Sequence, residues 1–108
     1  MSLEISPAEL GAKLRSENPP HLLDVRETDE NQFAALPNST LIPLGELPWR
    51  LEEIEHWKDR DVVVYCHHGM RSLQAISQMR QAGFVRLKNL AGGIDRWSLE
   101  VDPALPRY

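Results

Sequence analysis

The chain contains a single cysteine, Cys66, and the residues after it are of the types that activate a thiol. These residues are His67, His68, Gly69, Met70 and Arg71. Glycine permits a left-handed backbone that a side chain resists, and arginine carries a permanent positive charge. Backbone N–H groups at the start of a helix add a positive field, in which cysteine thiols ionise near or below neutral pH. The sequence therefore predicts a nucleophilic Cys66 thiolate held by a loop of residues 67–71.

Two other interpretations of Cys66 have to be weighed. Free cysteines often pack as inert small hydrophobes, but a glycine and an arginine between a strand and a helix have little use in core packing. A zinc site is not expected, because the consecutive Cys66, His67 and His68 cannot easily surround one ion and the chain has no second cysteine. The lone cysteine also excludes an intrachain disulfide and a Cys-x-x-Cys redox pair. No metal and no cofactor are predicted.

The helices and strands that must position this loop are predicted to alternate along the chain. Ser6 can cap a helix that begins at Pro7, with Glu9 at the capping-box position. Further helical patterns lie at 30–36, 44–57, 71–82 and 92–97, and strand-like runs lie at 21–25, 40–42, 62–65 and 84–90. This alternation predicts an α/β fold, with a mostly parallel central sheet and helices on both faces. Ligands bind beyond the carboxyl ends of the strands in such sheets, which is where Cys66 follows the run at 62–65.

Length and composition limit the remaining choices. The 108 residues, 42% of them hydrophobic and 26% charged, suit one compact domain over residues 1–108. A formal net charge of −4 argues against a nucleic-acid partner, which would require a concentrated basic face. No apolar run approaches membrane-spanning length, and the N-terminal residues lack the pattern of a secretory signal. A cytoplasmic protein without a membrane partner is therefore expected.

Four segments resemble one protein family. The sequence C-H-H-G-M-R-S at 66–72 is similar to the active-site loop of the rhodanese family, whose pattern is C-x-x-G-x-R-S. The segments at 5–10, 22–27 and 90–97 resemble the family's opening, its first buried strand and its Gly-Gly segment, in the same order. The segment at 35–39 departs from the family's G-H-I-P-G-A turn, since it lacks both glycines and the histidine. The resemblance covers essentially the whole chain and implies a single rhodanese domain.

The resemblance implies a thiosulfate sulfurtransferase. Cys66 would take sulfane sulfur from a donor such as thiosulfate, become a persulfide, and pass the sulfur to a thiophilic acceptor such as cyanide or a thiol. His67, His68, Gly69, Met70 and Arg71 would bind the donor. The expected partners are a small-molecule donor and acceptor, with a sulfur-carrier protein or a desulfurase as candidates. A monomer or a weak homodimer is expected.

Other functions stay open on the sequence alone. A small cysteine-dependent phosphatase or arsenate reductase is less favoured. Phosphatases of this kind need five residues between cysteine and arginine, where this chain has four, and most arsenate reductases need a second cysteine. A catalytically idle binding or regulatory module is the alternative from another class. His67 stands where the family often has arginine, which weakens the prediction of a strongly bound dianionic donor.

Two further features are predicted to be structural. Asp24 and Arg26 are expected to form an ion pair near the carboxyl edge of the sheet. Ile94 and Trp97, on the last predicted helix, are expected in the core.

Overall fold

A computed structural model describes residues 3–108 and contains one five-stranded sheet. The strands are β1 (Glu4–Ile5), β2 (His21–Asp24), β3 (Thr40–Leu41), β4 (Val62–Tyr65) and β5 (Leu87–Leu90). They lie in the order β1-β5-β4-β2-β3, and every neighbouring pair is parallel. The predicted α/β fold with a parallel sheet is confirmed. Met1 and Ser2 lie outside the described residues. Both belong to the predicted 1–108 domain and to the N-terminal segment that lacks the pattern of a secretory signal.

Residues 3–108 also form five α-helices, of which four lie between successive strands and the last follows β5. They are α1 (Pro7–Leu14), α2 (Thr28–Phe33), α3 (Leu47–Arg50), α4 (Met70–Gln81) and α5 (Gly93–Glu100). The predicted start of α1 is confirmed, because the Ser6 hydroxyl accepts from the backbone N–H of Glu9 at 3.1 Å and the Glu9 carboxylate accepts from that of Ser6 at 2.9 Å. None of the helices in residues 3–108 combines the length and the apolar character needed to cross a membrane.

The helices cover both faces of the sheet, as predicted. Leu10 of α1 packs with Ile94 and Trp97 of α5 in one buried cluster, so the expectation for the last two residues is confirmed. The opposite face carries a second cluster, in which Leu47 of α3 packs with Met79 of α4. Because both faces of β4 are covered, its side chains are all buried and its end is held rigidly.

The structure corrects several predicted boundaries. The helix predicted at 44–57 is three short pieces, because α3 is flanked by 3-10 helices at Leu44–Glu46 and Leu51–Trp57. Pro48 has no N–H to donate to a carbonyl four residues earlier, and the backbone kinks again at Ile54. The helix predicted at 30–36 is α2, which begins two residues earlier than predicted. The strand predicted to start at residue 84 begins at residue 87. Strand β1 was not predicted, since two residues carry no periodic signal.

Candidate active site

Cys66 lies at the carboxyl end of β4, immediately before the loop that starts α4. Its side chain is buried, with the residue 1% exposed, which fits the inert interpretation as far as burial is concerned. The environment of the sulfur does not fit it. The backbone N–H groups of Gly69 and Ser72 both donate to Sγ of Cys66, at 3.1 and 3.4 Å. Two amide donors and the start of a 12-residue helix favour negative charge on this sulfur.

A buried chain of polar side chains lies behind the sulfur. The Ser72 hydroxyl is 3.4 Å from Sγ of Cys66 and donates to the side-chain oxygen of Asn89 on β5. The Asn89 amide in turn donates to the Gly69 carbonyl at 3.3 Å and to Glu4 of β1 at 2.9 Å. The chain ties the start of α4 to the neighbouring strands. Ser72 and Asn89 were missed as site residues, although Ser72 is the last residue of the matching loop pattern.

Two glycines adopt backbone conformations on which the shape of the loop depends. Gly69 has φ +113°, a left-handed conformation that turns the chain into α4. Gly93 has φ +63°, and a Cβ there would lie 2.3 Å from the carbonyl oxygen of His67 and 2.5 Å from that of Cys66. The space is needed because the Ile94 N–H donates to the Cys66 carbonyl at 2.9 Å. The Gly-Gly segment thus brings α5 against the backbone of the reactive loop.

Arg71 is held by a carboxylate from another element. Its Nη1 and Nη2 atoms donate to Oε1 and Oε2 of Glu30 on α2, at 2.6 and 2.9 Å. The hydrogen bonds from Arg71 lower the pKa of Glu30 to about 2, so the carboxylate is ionised at neutral pH. Glu30 also accepts from the Glu27 backbone at 3.0 Å. Arg71, which was predicted to support negative charge on Cys66, is therefore also paired with the negative charge of Glu30.

Tyr108, which follows α5, reaches back to this ion pair. Its hydroxyl donates to Glu30 at 2.7 Å and accepts from Arg26 at 2.9 Å. Its ring stacks on His67, with centroids 3.9 Å apart and planes 10° from parallel. Burial raises the pKa of Tyr108 to about 12, so the hydroxyl stays protonated. Glu30 and Tyr108 were missed from the sequence, because neither lies near Cys66 along the chain.

The remaining loop residues differ in exposure. His67 is half-buried, and burial lowers its pKa, with the neighbouring His68 adding to the effect. His68 is exposed, and its Nδ1 lies 3.9 Å from Asp95. Met70 is also exposed and begins α4. The five predicted loop residues thus form the turn after Cys66 and the start of α4, and among them Gly69 donates its backbone N–H to Sγ of Cys66.

The predicted ion pair between Asp24 and Arg26 is confirmed. Nε and Nη2 of Arg26 donate to the two carboxylate oxygens of Asp24 at 2.9 and 2.7 Å, and both side chains are fully buried. The Tyr65 hydroxyl donates to Asp24 at 3.2 Å, and the Ala34 carbonyl accepts from Arg26 at 2.7 Å. The pair anchors the loops that leave β2 and β4.

Comparison with known proteins gives consistent results. The family profile of the rhodanese-like domain matches residues 6–100. A protein of Allochromatium vinosum named sulfurtransferase is 38% identical over 95 residues, which cover 88% of this chain and 87% of that protein. A longer Arabidopsis thaliana protein, named adenylyltransferase and sulfurtransferase, is 31% identical over 118 residues, covering 96% of this chain and 25% of that protein.

A solved structure matches the whole fold. The rhodanese-like domain protein from Staphylococcus aureus superimposes with a TM-score of 0.83 at 28% sequence identity, covering 100% of this chain and 99% of that one. The parallel sheet and its flanking helices are therefore shared with a solved protein of nearly the same length.

Proposed function

Because the chain belongs to the rhodanese-like domain family, we propose that it is a sulfurtransferase that carries sulfane sulfur on Cys66. The observation that supports this most directly is the pair of backbone N–H donors, from Gly69 and Ser72, on Sγ of Cys66. An inert core cysteine has no need of amide donors, whereas a nucleophilic thiolate is stabilised by them. The name of the Allochromatium relative agrees with this chemistry.

The proposed reaction has two displacement steps. The Cys66 thiolate attacks the outer sulfur of a donor, the bond between that sulfur and the rest of the donor breaks, and the leaving group takes the electron pair. The resulting persulfide lies within reach of the loop N–H groups. A thiophilic acceptor then attacks the outer sulfur and releases the Cys66 thiolate. A covalent intermediate of this kind gives ping-pong kinetics.

Thiosulfate and cyanide are the simplest donor and acceptor for an assay. A small thiol, a sulfur-carrier protein or a desulfurase persulfide are the proposed partners in cells. Residues 67–71 are proposed to surround the transferred sulfur.

The test is single-turnover mass spectrometry of the protein mixed with a sulfane-sulfur donor. We expect wild type to gain the mass of one sulfur atom and to lose it on addition of cyanide. Cys66→Ser should gain nothing under the same conditions. If neither thiosulfate nor a persulfide or polysulfide donor adds sulfur to wild type, the proposal is wrong, and a binding or regulatory module becomes the better interpretation.

A further inference from the structure

The hydroxyl of Ser72 has one proton and two neighbours able to accept it. Its Oγ lies 3.4 Å from Sγ of Cys66 and is also hydrogen-bonded to the side-chain oxygen Oδ1 of Asn89. Ser72 is 0% exposed and Asn89 is 1% exposed, so both contacts lie away from bulk water. The direction of the Ser72 hydroxyl therefore decides whether the sulfur faces a proton or a lone pair of oxygen.

The other contacts of Asn89 fix the orientation of its amide. Nδ2 of Asn89 lies 2.9 Å from Oε2 of Glu4 and 3.3 Å from the Gly69 carbonyl oxygen. Because a carboxylate and a carbonyl only accept, the NH2 group has to face them. Oδ1 then faces Ser72 and has no proton to give. The Ser72 proton consequently points to Asn89, and its oxygen presents a lone pair to the sulfur.

The sheet holds Asn89 in this place. Asn89 lies on β5 between two parallel neighbours, with Glu4 of β1 and Val64 of β4 as its register partners. Its backbone N–H donates to the Leu3 carbonyl at 2.8 Å. If the Ser72 hydroxyl turned to the sulfur, the buried Oδ1 would lose this donor, which is costly away from water. The strand thus keeps the Ser72 proton where it is.

From this geometry we infer that Asn89 is a positioning residue for Cys66, because it holds the Ser72 proton away from the thiolate. The inference rests on the proposed function and adds to it a residue from outside the reactive loop. The thiolate keeps the backbone N–H donors of Gly69 and Ser72 but not the Ser72 hydroxyl. A thiolate with fewer donors is a stronger nucleophile, so Asn89 favours attack by Cys66.

The experiment measures the rate at which Cys66 is alkylated by iodoacetamide between about pH 5 and pH 10, without any sulfur donor. The alkylation midpoint is the pH at which this rate reaches half of its plateau. Asn89→Leu keeps the branched shape of the side chain but offers Ser72 no acceptor, so the freed hydroxyl turns to the thiolate. We expect the midpoint to fall by about 1 pH unit and the plateau rate to fall about 2–3-fold.

The direction of the shift distinguishes this role from a merely structural one. If Asn89 only braced the loop, its loss would free the Gly69 carbonyl and loosen the Gly69 N–H on the sulfur. The thiolate would then lose a donor, and the midpoint would rise. A raised or unchanged midpoint in Asn89→Leu would therefore contradict the inference.

Ser72→Ala supplies a test that requires no change at Asn89. It removes the hydroxyl and keeps the backbone N–H of residue 72, and since S–H is a weak donor we expect the midpoint to move by less than about 0.3 pH unit. A rise of about 1 pH unit would mean that the hydroxyl donates to the thiolate in wild type, and the inference would be wrong.

The double variant tests whether Asn89 acts through Ser72. In the Ser72→Ala background there is no hydroxyl proton to release, so adding Asn89→Leu should not lower the midpoint further. A further fall would contradict the inference, because Asn89 would then act by another route.

Ser98 of α5 provides a matched control for the loss of a buried hydroxyl. It is 2% exposed, and its Oγ has no hydrogen-bond partner within residues 3–108. Ser98→Ala should leave the midpoint and the plateau unchanged. A fall equal to that of Asn89→Leu would show that the profile does not report the Ser72 proton.

The titratable side chains around Cys66 are the same in all these proteins, so they do not account for a difference between profiles. They are His67 and His68 of the loop, Arg71 of α4, Glu30 of α2, Asp95 of α5, Glu4 of β1 and the pair of Asp24 and Arg26 at the end of β2.

The inference and the proposed function fail in different ways. If no donor adds sulfur to wild type, the proposed function is wrong, and the alkylation profiles still test the inference. If wild type takes up sulfur but its alkylation profile coincides with that of Asn89→Leu, the inference is wrong and the proposed function stands. If both hold, Asn89→Leu should form the persulfide about 2–3-fold more slowly than wild type above the midpoint.

Discussion

The two edges of the sheet carry arginine–carboxylate pairs of nearly the same geometry in opposite surroundings. At the amino edge, Arg86 and Asp61 are 59% and 56% exposed. At the carboxyl edge, Arg26 and Asp24 are both 0% exposed. Exposed pairs contribute about 0–1 kcal/mol, whereas removing one partner of a buried pair costs about 3–5 kcal/mol. The donor–acceptor distances alone therefore do not show how much a pair contributes to stability, because that contribution depends on how deeply the pair is buried.

The pair of Arg71 and Glu30 lies between these extremes, with side chains 34% and 18% exposed. Arg71 belongs to the loop itself, so this pair lies beside Cys66 and is only partly closed off from solvent. The amino edge therefore has an exposed pair, and the carboxyl edge has one fully buried pair and one partly buried pair beside the loop.

Breaking the buried pair should have the largest effect. Arg26→Met leaves the Asp24 carboxylate buried without its cation, and we expect a loss of about 3–5 kcal/mol in the free energy of unfolding. Urea denaturation measures it. Asp61→Asn, the matched change at the amino edge, should cost no more than about 1 kcal/mol. Equal losses in the two variants would contradict the comparison.

A methyl group at Gly93 should separate α5 from the reactive loop. Gly93→Ala combines a positive φ with a close contact to the His67 carbonyl, and we expect it to cost about 1–3 kcal/mol and to slow persulfide formation. The control is Gly45→Ala, since nothing lies within 4 Å of a Cβ built there and its φ is not in the left-handed region. Thermal unfolding and the single-turnover assay should both distinguish the two variants.

Acid should weaken the pair of Arg71 and Glu30. The hydrogen bonds from Arg71 lower the pKa of Glu30 from its ordinary 4.5 to about 2 in the folded protein. A lowered carboxyl pKa stabilises the fold above pH 4.5, and this stability is lost as the pH falls from 4.5 toward 2. Glu30→Gln should cost about 1–2 kcal/mol at pH 7, and its stability should fall less steeply in this range. Parallel pH profiles for the two proteins would show that the pair contributes nothing.

The smallest effect is expected at Tyr108. Tyr108→Phe keeps the ring on His67 but removes the hydroxyl that bridges Glu30 and Arg26, and should cost about 0.5–1.5 kcal/mol. Tyr108→Ala removes the stacked ring as well, and should in addition speed the alkylation of Cys66 by an uncharged reagent. If the two variants react at the same rate, the ring does not shield the loop.

Much of the fold could be predicted because the signals are local. The β-branched run of β4, the capping box of α1 and the periodicity of α4 each lie within one segment. The segment at 44–57 was harder, because its apolar spacing is helical while Pro48 interrupts the hydrogen bonds. Strand β1 exists only through its pairing with Asn89 and Leu90 of β5.

The sequence by itself determined the position of the candidate nucleophile and its loop, since Cys66, Gly69 and Arg71 lie within six consecutive residues that join β4 to the start of α4. Only the tertiary structure decided which charged side chains are paired with one another beside the loop. Glu30 lies 41 residues from Arg71, and Tyr108 lies 78 residues from Glu30. Such distant residues meet because parallel strands end at one edge of the sheet and bring their loops together there. Whether a charged side chain faces a ligand or an opposite charge depends on that meeting.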